Sequence, residues 1–390
     1  MTHISSARSA PVLITALVTV FVYLWALLHA ESQLQVGVLL ALLLVATVAF
    51  QRIGWSAPLA SAAASAPRLV GIGSMVGALA LIAAFHEMHF SLLLMSTVLL
   101  FSVVGLGLNI QFGYVGIVNF AGAAFFGIGS YTAATLATHT AVPHLFVLLI
   151  GGLMAALIGS LLIWPVLRTR GHYAALVTIA FGILFKGFLE VNDALGGPQG
   201  LRIPGLDLFG WKLNNGYEFG DVEISFYANY AVLSLLLCAL AFVLVRRIER
   251  SWLGLEMDMI RTDEVAAATF GVSIARGKVL AFTCGNFLAG VAGSVYGMMT
   301  GYVAPNNFTF GDSLILVSIV ILGGIGSPWG LLPAATIVLI LPEKFQFIQE
   351  YRFLLYALLV IFILLFRPDG LLPRTVRRYF PGAGDRQPTA

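Results

Sequence analysis

The chain reads as a succession of apolar runs parted by short polar breaks. The runs cover 11–30, 34–50, 69–85, 90–110, 120–138, 145–167, 173–190, 226–245, 279–300, 312–327, 329–342 and 353–366. Most approach the roughly 20 apolar residues that a helix needs to cross the hydrocarbon of a bilayer. They are continuous rather than alternating every second position, so they predict helices and not the strands of a barrel. The last two before the C-terminal run are short, and read as two spans or one re-entrant hairpin. The pattern predicts an all-α polytopic membrane protein with about 10–12 transmembrane or re-entrant helices. Residues 1–85 read as an additional N-terminal transmembrane segment, 86–373 as the main transmembrane domain and 374–390 as a C-terminal tail. The segment 51–68 is a linker of small residues, and the first apolar run is a retained helix rather than a cleaved signal.

One stretch breaks the apolar pattern with charge, Arg246–Lys278. Within it, Thr262 predicts an N-cap, Asp263 and Glu264 suit the first turn of a helix, and Ala266, Ala267 and Ala268 favour its interior. Gly271 offers the left-handed position that ends such a helix. Eight residues make a rod of roughly 12 Å, too short to cross a membrane. This rod lies outside the bilayer between two segments inside it, either as a solvated loop helix or as a docking knob for a soluble partner.

Composition agrees with the pattern, at 59% hydrophobic and 10% charged residues. The net charge of +3 gives no reason to expect nucleic acid; its distribution says more. With the N-terminus placed inside the cell, sixteen Lys and Arg fall in inside segments and four in outside segments. By the positive-inside rule both termini and Arg246–Lys278 are cytoplasmic. The longest outside segment, Val191–Ser225, reads as an outer cap, a receptor-contact surface or a plain connection.

A second irregularity is Gly105–Tyr131, with seven glycines in 27 residues. Broken helices at membrane depth survive where they are buried in protein or line a watery cavity, and commonly mark a transport path. The candidate path residues are Asn109, Gln111, Gly113, Tyr114, Gly116, Asn119 and Tyr131; the competing reading is a tightly packed glycine-rich contact. Leu322–Gly330 is a break of the same kind. Gly293, Gly297 and Gly301 form one packing ridge, Gly73 and Gly77 another. Lys186 and Glu190 are spaced to pair across one helical turn or to face a cavity, and Glu190 is close enough to the outer end to snorkel, the cheaper reading.

Catalytic signals are missing. Residues 271–278, GVSIARGK, are one residue too long for a phosphate-binding loop, and Val279 stands where Ser or Thr would hold magnesium. The seven histidines include no HExxH. Cys238 and Cys284 lack metal-ligand spacing. The spans contain no series of acids and histidines of the sort a proton-driven pump uses. A transporter without an internal energy source needs an external one, which a cytoplasmic docking helix can supply. A stand-alone secondary transporter and a passive channel remain the rivals.

Four stretches resemble the permease subunits of bacterial ABC transporters for branched-chain amino acids, of the LivM type. They are GLNIQFGYVGIVNFAGAAFFGIGSY; LRTRGHYAALVTIAFG with LGGPQG; IRTDEVAAATFGVSIARGKVLAF with SPWG; and RPDGLLP. The resemblance implies a non-catalytic subunit of the bacterial inner membrane with no cofactor of its own, ATP being used by partner chains. Those partners would be a second permease of the LivH type, two cytoplasmic ATP-binding subunits and a periplasmic substrate-binding protein. It also implies that Arg261, Asp263, Glu264, Ala267 and Gly271 belong to the coupling helix that rests on the ATPase. Where LivM-type members often read Ser-Phe-Gly-His, this chain has Asn119, Phe120, Ala121 and Gly122, a form similar to the sister permease. Branched-chain amino acids, urea, short amides and small organic acids stay open as solutes.

Overall fold

The computed structural model describes residues 6–30, 32–53, 66–168, 173–208, 210–219, 222–344 and isolated positions between 351 and 374. The predicted span 353–366, most of the linker 51–68 and the tail beyond Arg374 lie largely or wholly outside the described residues. Thirteen α-helices are described. They are α1 (Ser6–His29), α2 (Gln33–Ile53), α3 (Pro67–Ala84), α4 (His89–Asn109), α5 (Gly122–His139), α6 (His144–Arg168), α7 (Tyr173–Val191), α8 (Phe226–Glu249), α9 (Trp252–Thr262), α10 (Glu264–Thr269), α11 (Ile274–Thr300), α12 (Phe310–Gly323) and α13 (Leu331–Lys344). Among the described residues, seven segments are long and apolar enough to cross a membrane. The chain is therefore an all-α multi-pass membrane protein.

Helix α11 runs through the middle and packs on α4, α5 and α6. Small residues make these approaches close. Gly129 of α5 lies against Gly290 of α11, and Gly107 of α4 against Gly285. With no side chain between the backbones, hydroxyls can reach across: Ser130 Oγ donates to the Gly293 carbonyl at 2.7 Å and Ser294 Oγ to that of Gly129 at 3.0 Å. In a bilayer, where lipid is as apolar as Leu, such close packing and interhelical hydrogen bonds hold helices together. Much of the glycine-rich stretch thus serves helix contact. Gly293 and Gly297 lie on the predicted ridge, facing Phe126 and Ile203. Gly301 does not; at φ +70° it ends α11, because its left-handed backbone stops the helix there. In the N-terminal segment, Gly73 and Gly77 of α3 receive Leu17 and Phe21 of α1. Lys344 Nζ at the end of α13 donates to the carbonyls of Leu28 and Ala30 at 2.7 and 2.9 Å, holding the end of α1 to the main bundle.

The connections gather at two ends. At one end, the segment after α7 forms three short antiparallel pairings: β1 (Leu201–Arg202) with β6 (Tyr302–Val303), β2 (Asp207–Leu208) with β3 (Trp211–Lys212), and β4 (Tyr217–Phe219) with β5 (Val222–Ile224). It is fixed to the helices below. The buried Tyr230 hydroxyl accepts from Leu206 N at 2.9 Å and donates to the Met298 carbonyl at 3.1 Å. Ser225 N donates to the His86 carbonyl at 2.8 Å. Of the readings open for Lys186 and Glu190, the structure shows the one-turn ion pair, at 3.3 Å. The other end carries the charged run and both helix breaks.

Candidate functional site

The first break is a wide turn. Helix α4 passes at Asn109 into a π-helical segment, Ile110–Val115. Gly116, at φ +79°, ends it, and the N–H of Ile117 returns to the Gln111 carbonyl at 2.9 Å. A left-handed residue is needed there, which Gly supplies without a clash against Cβ. The chain then runs without regular structure to Gly122, where α5 begins. The second break separates α12 from α13 at Gly324–Gly330.

The seven predicted path residues divide into two groups and one outlier. Asn109, Gly113, Tyr114 and Gly116 face the second break and the charged run. Asn109 Oδ1 accepts from Gly326 N at 2.8 Å, and a Cβ on Gly113 would strike the Gly326 backbone. Tyr114 is buried under the guanidinium of Arg374, which stands 4.7 Å from its ring centre. The second group is inside the bundle. Gln111 Nε2 donates to the Phe282 carbonyl at 3.1 Å and to Asn286 Oδ1 at 3.0 Å. Asn119 Nδ2 donates to Gln111 Oε1 at 2.8 Å, and Asn119 Oδ1 accepts from Ala121 N at 2.8 Å. Tyr131 stands apart, its ring edge-on to Phe308 at 5.9 Å.

Gln111, Asn119 and Asn286 are all at least 98% buried. The amide nitrogens of Asn109 and Asn286 and the hydroxyls of Tyr114 and Tyr131 find no partner among the described residues. Asn286 was not legible in sequence, since one polar residue in α11 carries no periodic signal. Buried amides with half-used donors can hydrogen-bond a passing polar group without binding it tightly. Replacing Gln111 by Leu removes three hydrogen bonds to buried partners. The expected cost is about 1–3 kcal/mol, read as a lowered Tm of the purified protein in detergent.

The charged run holds two helices where the sequence predicts one. Helix α9 is the one that the capping and propensity signals do not predict; it buries Gly254, Met257 and Ile260. The cap also moves by one residue. Thr262 is the last residue of α9, its Oγ1 donating to the Asp258 carbonyl at 2.8 Å. Asp263 is the N-cap of α10, accepting from Val265 N at 2.8 Å and Ala266 N at 3.1 Å. Its extended backbone lets the carboxylate turn back onto the orphan N–H groups while Thr262 is still in the preceding helix. The rod is therefore six residues, roughly 9 Å.

Gly271, at φ +79°, ends α10 as predicted. Val272 N bonds to the Ala267 carbonyl and Gly271 N to that of Ala268, the double closure of a helix ended by glycine. Ala267 is buried at the root of the helix. Glu264 pairs with Lys278 of α11 at 2.6 Å. Arg261 Nη1 donates to the Gly113 carbonyl at 2.5 Å. Burial first, and then the charge of Arg374, hold its pKa below the usual arginine value. The predicted coupling residues thus build and anchor the rod. Beside the exposed polar residues Asp263, Glu264 and Thr269, two large apolar side chains protrude, Val265 at 76% and Phe270 at 80% exposed. Sequence reading named neither.

Among the described residues no group of three His, Cys, Asp or Glu is placed to hold a metal. GVSIARGK is no phosphate cradle, because α11 has begun at Ile274 and its Gly277 and Lys278 are helical.

Comparison with known proteins gives a consistent group. The family described as "Branched-chain amino acid transport system / permease component" matches residues 90–366. The high-affinity branched-chain amino acid transport system permease protein LivM of Escherichia coli (strain K12) is 35% identical over 295 residues, 71% of this chain and 68% of its own. A probable branched-chain amino acid transport permease protein LivM of Methanocaldococcus jannaschii is 23% identical over 324 residues, 70% of this chain and 90% of its own. The permease protein LivH of the same E. coli system is 23% identical over 288 residues, 70% and 91% of the two chains. No solved structure matches.

Proposed function

The chain belongs to the family of permease components of branched-chain amino acid transport systems, and from that premise we propose that it is a membrane-spanning permease subunit of an ATP-driven importer. It carries branched-chain amino acids from the periplasm to the cytoplasm of a bacterium across the inner membrane. It stands beside a second permease of the LivH type, with two ATP-binding subunits on the cytoplasmic face and a periplasmic binding protein on the other. The end with α9 and α10 is the cytoplasmic one, and both chain termini lie on that side.

The observation that carries this reading is the rod itself. A six-residue helix, closed at both ends and anchored at its root, presents two exposed apolar side chains at the charged end of a hydrocarbon-soluble body. Partnerless apolar tips on a rigid support fit a cleft in a soluble chain. Arg261 joins the rod's neighbour to the first break, so force on the rod reaches the membrane helices. The path runs past the glycine breaks, where Asn109, Gln111, Asn119 and Tyr114 supply polar groups within an apolar wall, with Tyr131 farther along α5. The chain performs no chemistry of its own; hydrolysis belongs to the partners.

Co-purification from native membranes tests this. The tagged chain is expected to bring down a second permease and an ATP-hydrolysing chain, and vesicles carrying the assembly to take up labelled leucine only with ATP. Uptake by the purified chain alone under an ion gradient would overturn the reading. So would labelling of a cysteine introduced within 264–269 by a reagent applied outside intact cells.

A further inference from the structure

The stretch RPDGLLP has no part in the reading above, yet its end and the Arg374 that follows meet α12, α9 and both breaks. Leu371 N donates to the Leu322 carbonyl at 2.8 Å and Leu372 N to that of Gly323 at 3.3 Å. Those are carbonyls of the last turn of α12, which the helix itself leaves unpaired. The segment thus lies as a strap over the second break. Two residues on, Arg374 turns into the bundle. Its aliphatic stem lies against Gly326, and its guanidinium covers Tyr114. Both terminal nitrogens meet both carboxylate oxygens of Asp258, Nη1 to Oδ1 at 2.6 Å and Nη2 to Oδ2 at 2.8 Å. A paired fork of this kind is the strongest and most directional ion pair available to Arg. Burial depresses the Arg374 guanidinium, but the bonds and charge of Asp258 outweigh it and leave its pKa above the usual arginine value.

Asp258 and Arg261 are three residues apart on α9, so they share a helical face. Through Arg261 that face holds the Gly113 carbonyl of the first break. Through Asp258 and Arg374 it holds the second break and Tyr114. The breaks are also bonded to each other, Gly326 N to Asn109 Oδ1. One rigid helix of eleven residues, joined to the rod by Asp263 alone, grips both interruptions in the membrane helices.

We propose that Asp258 and Arg374 are positioning residues that carry movement of α9 and α10 into both breaks at once, the C-terminal strap being the link to the second. This deepens the reading above and rests on the rod being a docking element. Without the fork, the partner subunits still seat on Val265 and Phe270, but their movement reaches the second break only indirectly, through the bond from Gly326 N to Asn109 Oδ1.

The test uses the whole assembly in vesicles, with Asp258→Asn, Arg374→Gln and the reversed pair Asp258→Arg with Arg374→Asp. Three quantities are measured: ATP-hydrolysing chains recovered, ATP hydrolysis, and uptake of labelled leucine. Each single variant is expected to keep its partners and hydrolysis. Uptake per ATP hydrolysed falls by roughly tenfold or more, the size of an ordinary coupling between sites. The reversed pair recovers most of the loss. Wild-type uptake in both single variants would overturn the proposal. So would loss of the partner chains in step with uptake, because the fork would then merely support the docking surface. Absence of ATP-hydrolysing chains from the unsubstituted assembly would instead remove the docking reading, and the proposal with it.

Discussion

Substituting Phe270→Asp is expected to abolish recovery of ATP-hydrolysing subunits with this chain while its amount in the membrane stays unchanged. The side chain is 80% exposed and sits one residue before the glycine that closes α10. The cap is made by backbone groups of Ala267, Ala268, Gly271 and Val272, so replacing Phe270 leaves it intact. Folding therefore loses little. Docking loses much, because truncating an aromatic anchor at an interface centre costs roughly 2 kcal/mol or more, at least about thirtyfold in affinity. A carboxylate in the same pocket adds the cost of burying an unpaired charge. Uptake should fall with recovery. Phe270→Leu keeps an apolar tip and should retain most of both. Wild-type recovery with Asp at 270 would show that the partner does not seat there.

The contrast between Phe270 and the coupling residues proposed from sequence shows what a sequence can carry. Helix signals are local. Asp263, Ala267 and Gly271 are legible because capping and propensity act over a few residues, and the structure uses them to make and end α10, with the cap shifted by one. The apolar runs are legible for the same reason. Exposure is not local. Val265 and Phe270 look like any apolar residues beside a membrane segment, and only the packing of Ala267 against its neighbours decides that they point outward. Asn286 and Asp258 have partners more than a hundred residues away, Gln111 and Arg374, and no spacing rule pairs them. The glycine-rich stretch was open between a path and a packing contact. The structure divides it: Gly107 and Gly129 serve helix crossings, and Gly113 and Gly116 shape the break.

That division sets the second large effect, at Gly129. A Cβ built there would fall onto the Gly290 carbonyl of α11, a backbone atom that cannot rotate away. The two helices would have to separate. Separation would pull Ser130 Oγ from the Gly293 carbonyl and Ser294 Oγ from the Gly129 carbonyl, both in buried surroundings. Overpacking alone costs typically about 1–3 kcal/mol. Interhelical hydrogen bonds in a membrane contribute on the order of 0.6–2 kcal/mol each. Together these reach about 2–7 kcal/mol, comparable with the lower end of the stability of an ordinary folded domain, about 5–15 kcal/mol. Gly129→Val is therefore expected to leave almost no monodisperse protein after detergent extraction, measured by fluorescence-detected size exclusion. Gly187→Ala in α7 is the control, because nothing lies within 4 Å of its added Cβ. Relieved of the helix penalty of Gly, that variant should gain up to about 1 kcal/mol. If Gly129→Val were recovered as well as Gly187→Ala, the close crossing of α5 and α11 would not be what holds the bundle together.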